Sequence, residues 1–220
     1  MKFRTLPHGA IREIEPGDAT TLERISALHV ELLSFGPVAG LGVRVTEAVA
    51  YRMPLVEGLL RVAVYESDGQ LGGFISFTSD SQSLLGKLLR SRGWAVVGRI
   101  AWSVVQSPVR ILRIPGILRA AIARTPPVPD ALGRLAEVTS LAVRPEFADV
   151  HFVRAHRLRV AEELLRYAMD ALGAEGATHV RGIIDADNRA VQILYGRFGA
   201  EFRNFRQGGR PMVEVLLALK

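Results

Sequence analysis

Two side chains in the C-terminal half of the sequence have the chemistry of a proton acceptor and a proton donor. Glu137 lies in a mostly apolar run, residues 135–143, and Tyr195 lies in a segment with helical spacing. A carboxylate takes a proton readily when burial raises its pKa, and a phenol with an ordinary pKa of about 10 is protonated at neutral pH and can donate. The pair suits proton transfer, although a strand Glu can also face solvent and a helical Tyr can also be a core residue.

The composition restricts the chemistry further. The chain has 220 residues, of which 49% are hydrophobic and 23% charged, and it has no cysteine. Thiolate nucleophiles and disulfides are therefore excluded, and only His and carboxylate ligands remain for a metal site. We expect a metal-free mechanism in a single globular domain, residues 1–220.

The hydropathy of the chain predicts its compartment. The N-terminus reaches Arg12 and Glu13 without the long apolar core of a signal peptide. The longest apolar stretch, residues 94–114, is interrupted by Pro108 and by arginines, whereas a bilayer span takes roughly 20 mostly apolar residues. The sequence therefore predicts a soluble cytoplasmic protein.

Strands and helices alternate along the chain, which predicts an α/β fold. The first half reads as strand, helix, helix, strand and strand, at 10–15, 20–33, around Val45 to Met53, at 59–65 and at 74–77, with Asp68-Gly69 as the hairpin turn of the last two. The second half reads as strand, helix, strand, helix and hairpin, with the first four at 135–143, 155–172, 179–184 and 188–198. Glu137 and Tyr195 thus belong to a central strand and to a late helix.

The helix that carries Tyr195 has clear signals at both ends. Asp187 and Asn188 are typical N-terminal caps, and Gly199 stands where a left-handed C-cap is needed. Tyr195 then projects from the penultimate turn.

Two segments, EVTSLAVRPEF at 137–147 and ADNRAVQILYGRFGAEF at 186–202, resemble the acetyl-coenzyme A binding core of the GNAT superfamily of N-acetyltransferases. The resemblance covers residues 135–202. It implies a GNAT-like fold, in which a twisted, mixed and mostly antiparallel sheet of six to seven strands is flanked by helices. A helical insertion at 81–129 would then lie between strands 3 and 4.

The resemblance also implies roles for individual residues. Tyr195 matches the tyrosine that protonates or hydrogen-bonds the coenzyme A sulfur, and Glu137 matches the glutamate base of some branches of the family. The strand at 135–143 is expected to splay from its neighbour, so that the backbone of Leu141, Ala142 and Val143 pairs with the pantetheine arm. With Asn188 these are the expected coenzyme-binding residues. A strand period of two predicts that Glu137 and Leu141 share one face.

The sequence departs from the family pattern at the pyrophosphate loop, which is Gln or Arg, two residues, Gly, any residue, then Gly or Ala. The aligned stretch is 156–161, with Arg159 in place of the first glycine. Three explanations remain open. Arg154, Arg157 and Arg159 replace backbone contacts to the phosphates, together with the helix start at Val160 and Ala161; or coenzyme binding has been lost; or these arginines are a solvated surface.

The positive charge is concentrated in one segment. Of 28 basic residues eight lie between Ser81 and Pro129, where there is no Asp or Glu: Lys87, Arg90, Arg92, Arg99, Arg110, Arg113, Arg119 and Arg124. Its apolar residues predict two or three helices broken at Gly93 and Pro108, with a stiff linker at 125–129. The segment suits an anionic acceptor or an anionic membrane surface, but also helices packed on the sheet or on a second subunit of a homodimer.

Taken together, these patterns predict a cytoplasmic, acetyl-CoA-dependent N-acetyltransferase that uses no metal. It would transfer the acetyl group directly to a primary amine of a small acceptor, such as a nucleotide-linked amino sugar. The alternative is a non-catalytic GNAT-like module bound to an anionic membrane or an acidic partner. Nucleic acid is not expected as a partner, because the basic residues are interleaved with dense apolar residues.

Overall fold

The architecture is an eight-stranded sheet flanked by helices. A computed structural model describes residues 3–33, 38–80, 84–106 and 133–219. The strand order is β1-β2-β3-β4-β5-β6-β8-β7, and of these neighbours only β5 and β6 run parallel. The strands are β1 Phe3–Leu6, β2 Gly9–Glu13, β3 Arg61–Ser67, β4 Gln70–Thr78, β5 Leu135–Val143, β6 His179–Asp185, β7 Glu201–Gln207 and β8 Arg210–Ala218.

Helices cover both faces of the sheet. In the described part of the chain they are α1 Ala19–Leu32, a 3₁₀ turn Ala39–Leu41, α2 Val43–Val45, a π-helical stretch Thr46–Arg52, α3 Met53–Val56, α4 Leu84–Gln106, α5 Pro145–Ala148, α6 Val150–His156, α7 Val160–Ala174 and α8 Arg189–Gly196.

The two faces of the sheet belong to two separate cores. On the first, which we call the α7 face, residues such as Phe77 and Val138 pack with Leu164 and Leu165 of α7. On the opposite, or α1, face, residues such as Phe74 pack with buried apolar residues of α1, which are Leu22, Ile25 and Leu28. The sheet therefore separates two hydrophobic cores, and each strand side chain faces either the α7 side or the α1 side.

The predicted α/β fold is confirmed, with eight strands rather than six to seven. The additional strand is β1, so the insertion lies between β4 and β5 of the observed numbering. The Asp68-Gly69 turn is confirmed as well, because both residues have positive φ, 49° and 74°, as a type I′ hairpin requires.

The helix predicted at 155–172 is wrong as a single element. The chain ends one helix at His156 and begins the next at Val160, and Arg157 between them is left-handed with φ of 49°. The apolar residues of α6 and α7 continue one periodic pattern, so the break is not visible in it. The long helix α7 begins at the segment that departs from the family pattern.

The insertion begins with α4. This helix runs from Leu84 to Gln106 with one irregular residue, Arg92, next to the predicted break at Gly93. The predicted break at Pro108 and the linker at 125–129 lie outside the described residues. Across the described ranges, no helix is long and apolar enough to cross a membrane.

Candidate active site

The sheet opens between its two parallel strands. β5 and β6 are paired only over 135–138 and 179–182. Beyond these residues β5 continues to Val143 and β6 continues to Asp185, and the two strands are no longer paired with each other. The predicted splay is therefore present, and backbone groups of β5 face the gap. Leu141 and Val143 lie beside the gap and pack on the α7 face, whereas Ala142 is buried on the α1 face.

A β-bulge at the splay changes which side chains share a face. Phe77 pairs with Val138 and Ser76 pairs with Ser140, so Thr139 is an extra residue in β5. Each bulged residue inverts the alternation of the strand. The prediction that Glu137 and Leu141 share a face is therefore wrong, because Leu141 faces the α7 core while Glu137 faces the α1 side.

Glu137, which is half-buried, belongs to a group of three charges. Its Cα partner in β6 is Arg181, whose Nε lies 2.9 Å from Oε1 of Glu214, and both side chains of that ion pair are buried. Burial raises the pKa of Glu137 to about 7, Arg181 opposes the rise and Glu214 adds to it. Glu137 can therefore exchange a proton near neutral pH, which is what a general base requires.

Tyr195 lies at the point where the splay begins, on the α7 face. The Tyr195 hydroxyl is 3.2 Å from the place that a Cβ on Gly182 would occupy, and Gly182 pairs with Val138, the neighbour of Glu137. Burial, and then the charge of Glu137, raise the pKa of Tyr195 above its ordinary value. The phenol is therefore protonated at neutral pH and can act as a donor.

Asn188 acts as a helix cap. Its Oδ1 accepts a hydrogen bond from the backbone N–H of Val191 at 3.2 Å, at the start of α8. This is the capping geometry that the sequence predicts, and it orients the helix that carries Tyr195. The left-handed Gly199, with φ of 79°, follows the same helix.

The α1 side of the splay contains a polar cluster that the sequence analysis missed. Nδ1 of buried His29 lies 2.5 Å from the hydroxyl of buried Tyr51, and Tyr51 also hydrogen-bonds Ser140 of β5. Burial lowers the pKa of His29 to about 4, so the ring is neutral at pH 7. The cluster lies on the same side of the sheet as Glu137.

Three arginines precede α7 in the chain, and all three are exposed: Arg154, Arg157 and Arg159. Nη1 of Arg159 lies 3.0 Å from Oε1 of Glu162 in the first turn, and Arg197 bonds the same carboxylate. No side chain caps the helix, whose first residues are Val160 and Ala161. Its first N–H groups are the kind of donors that bind phosphate at helix N-termini.

Metal ligands are not grouped in the described part of the chain. No set of three or more His, Asp or Glu side chains there could hold a metal ion.

Solved structures with the same fold were found, whereas sequence comparisons gave none. No protein-family model and no curated protein matches the sequence. The chain is similar to an N-acetyltransferase from Staphylococcus aureus Mu50, with 14% identity, full coverage of both chains and a TM-score of 0.55. It is also similar to yncA from Salmonella typhimurium, solved with its cofactor acetyl-CoA, with 14% identity, 96% and 94% coverage and a TM-score of 0.55.

A third similar structure is the ribosomal-protein-alanine N-acetyltransferase from Brucella melitensis, with 15% identity, 95% and 99% coverage and a TM-score of 0.54. At such identities the likeness concerns the fold. The likeness extends over nearly the whole length, and the chain has a GNAT-like fold.

Proposed function

We propose that this protein transfers an acetyl group from acetyl-CoA to a primary amine. The observation that carries the proposal is the position of Glu137 and Tyr195 at the start of one splay. They approach it from opposite faces of the sheet, and the charge of one raises the pKa of the other. A base and an acid on two sides of a gap suit a reaction in which the acceptor and the donor arrive from two sides.

The residues around the splay fit the donor substrate. The backbone of Leu141, Ala142 and Val143 pairs with β4 but not with β6, so its free side can accept the pantetheine arm as an added strand. The uncapped start of α7 and the nearby Arg154, Arg157 and Arg159 supply N–H groups and positive charge for the phosphates.

In the proposed reaction Glu137 accepts one proton and Tyr195 donates one. The amine adds to the thioester carbonyl, a C–N bond forms and the C–S bond breaks. Glu137 takes the proton that the amine loses, and Tyr195 gives a proton to the departing sulfur. Because the chain has no cysteine, no acyl-cysteine forms, and transfer is direct within a ternary complex.

The described charges support an amine as the acceptor. Arg181 neutralises Glu214, so an ionised Glu137 gives this group of three a net negative charge, which favours a protonated amine. An anionic group elsewhere in the acceptor, as in a nucleotide-linked amino sugar, would need basic residues of the insertion. Arg110, Arg113, Arg119 and Arg124 lie outside the described residues, and so does any homodimer contact that they make.

The experiment that tests the proposal has two steps. Calorimetric titration with acetyl-CoA measures donor binding, and release of free coenzyme A thiol in the presence of a panel of amines measures transfer. Micromolar binding together with amine-dependent thiol release supports the enzyme. Binding without release for any amine, or no binding, favours instead a non-catalytic GNAT-like module that binds an anionic membrane or an acidic partner.

A further inference from the structure

Helix α4 presents an apolar stripe to solvent. The side chains of Trp94, Val97, Trp102 and Val105 are 90%, 54%, 61% and 70% exposed. Their spacing of three, five and three residues keeps them within one side of a helix. A tryptophan that is more than half exposed is unusual on a protein surface, and here two lie on one stripe.

The same helix is apolar on its inner side as well. Leu88 and Val96 are buried, and α4 packs against α2, the π-helical stretch and α3. A helix that is apolar on opposite sides is normally covered on both. The protein covers the inner side of α4, and the outer stripe is suited to a second apolar phase.

The charged residues beside the stripe indicate which kind of apolar phase it contacts. No acidic residue occurs in the helix, whereas Arg90 and Arg99 are exposed one turn before Trp94 and Trp102. Lys87 pairs with Asp80 and Arg92 pairs with Glu57, so those two positive charges are already partly balanced. Tryptophan with adjacent arginine is the composition of a helix that lies in the headgroup region of an anionic bilayer.

We propose that α4 docks this protein on the surface of an anionic lipid bilayer, with Trp94 and Trp102 in the interface and Arg90 and Arg99 at the lipid phosphates. The helix lies on the membrane and does not cross it. Docking does not depend on acetyl transfer, so it is tested without acetyl-CoA and its outcome is separate from that of the proposed reaction.

The tryptophans themselves report the contact, because Trp94 and Trp102 are the only two in the chain. The full chain is mixed with vesicles of phosphatidylcholine containing 30% phosphatidylglycerol, and separately with vesicles of phosphatidylcholine alone. We expect the emission to shift to the blue only with the anionic vesicles, to be quenched there by brominated lipid, and to reverse in high salt.

Double variants separate the contribution of the arginines to vesicle binding from that of the tryptophans. Arg90→Gln with Arg99→Gln is expected to weaken vesicle binding tenfold or more, while Arg203→Gln with Arg206→Gln, which removes the same charge from β7, has little effect. Trp94→Ala with Trp102→Ala is followed by cosedimentation and is expected to abolish binding. Phe3→Ala with Ile193→Ala, which removes two other exposed apolar side chains, leaves it intact.

Three results would overturn the proposal. The first is unchanged emission and no cosedimentation with anionic vesicles. The second is emission that is blue-shifted and protected from iodide without lipid at every dilution, which means that another part of the chain covers the stripe. The third is protection that disappears on dilution, which identifies a second copy of the chain as the partner.

Discussion

The hydroxyl of Tyr195 lies 3.2 Å from the position that a Cβ on Gly182 would take, and the ring carbon that bears it lies at 3.4 Å. Gly182 is the last residue of β6 that pairs with β5, so the absence of a side chain there gives the phenol its place at the start of the splay. Gly182 of β6 and Tyr195 of α8 therefore together determine where the phenol hydroxyl lies in the candidate site.

Gly182→Ala is expected to displace the Tyr195 ring and to destabilise the fold by about 1–3 kcal/mol, the range for overpacking. In the Tyr195→Phe background the nearest contact is gone, so the cost of Gly182→Ala is expected to fall. Denaturant unfolding of the four proteins measures this coupling. Gly173→Ala, in α7 with only Leu219 near at 3.9 Å, serves as the control. Strictly additive effects of the two substitutions would contradict the contact.

Tyr195→Phe is expected to lower kcat tenfold or more and to change acetyl-CoA affinity little. The phenol would act on the departing sulfur, which is a demand of the transition state, whereas binding uses the strand backbone and the start of α7. Steady-state kinetics and calorimetry measure the two effects. An unchanged kcat with an active amine would remove Tyr195 as the acid.

Glu137→Gln is expected to stabilise the protein above pH 7. The pKa of Glu137 is about 7 in the fold and about 4.5 ordinarily, so the native state binds the proton more tightly, and stability is lost as the pH rises from 4.5 through 7. The gain is at most roughly 3 kcal/mol at pH 8 and shrinks toward pH 4.5. Thermal unfolding across this range measures it, and Glu201→Gln, exposed on β7, is the control. A difference that does not vary with pH would count against a raised pKa.

Glu214→Gln is expected to move the acidic limb of the pH–rate profile to lower pH. In the proposed mechanism the wild-type rate rises as Glu137 loses its proton near pH 7, and the charge of Glu214 contributes to that pKa. Without the negative charge of Glu214, the pKa of Glu137 falls, because Arg181 still lowers it. The measurement is kcat/KM as a function of pH. The control is Glu137→Gln, whose profile is expected to lack the acidic limb. A limb that stays in place in the Glu214 variant would assign it to another group, such as the acceptor amine.

Local sequence signals were enough for the elements that carry the candidate site. The mostly apolar run at 135–143 predicts β5 with its observed bounds, and Asn188 and Gly199 mark the ends of the α8 segment. These features depend on neighbouring residues, so a single sequence contains them.

The features that depend on distant partners could not be predicted. β1 has four residues with no apolar face, and the bulge at Thr139 exists only relative to β4. Tyr51 lies in a π-helical stretch, where a period of 3.6 gives the wrong neighbours. The sequence contains one signal of the ion pair between Arg181 and Glu214, which is a charged residue in the middle of each of two apolar strands. That these two strands are neighbours is known only from the order of the sheet.

The phosphate end of the site gives the prediction that separates an enzyme from a binding module. Arg159 directly precedes α7, and its Nη1 lies 3.0 Å from Oε1 of Glu162, so its guanidinium already has a partner that a phosphate would have to share. Arg159 can therefore assist the phosphates, or it can obstruct the approach that a glycine allows.

The two roles predict opposite signs for two substitutions. If Arg159 binds phosphate, Arg159→Ala weakens acetyl-CoA binding roughly tenfold, the effect shrinks in high salt, and Glu162→Gln strengthens binding because it releases the guanidinium. If Arg159 obstructs, Arg159→Gly strengthens binding, since a glycine at the cap costs little and opens the backbone N–H groups. Calorimetry at two salt concentrations distinguishes these results, with Arg203→Ala as a control for lost surface charge. Binding that is undetectable in the wild type and in every variant would contradict the acetyltransferase itself and leave the non-catalytic module as the explanation of the fold.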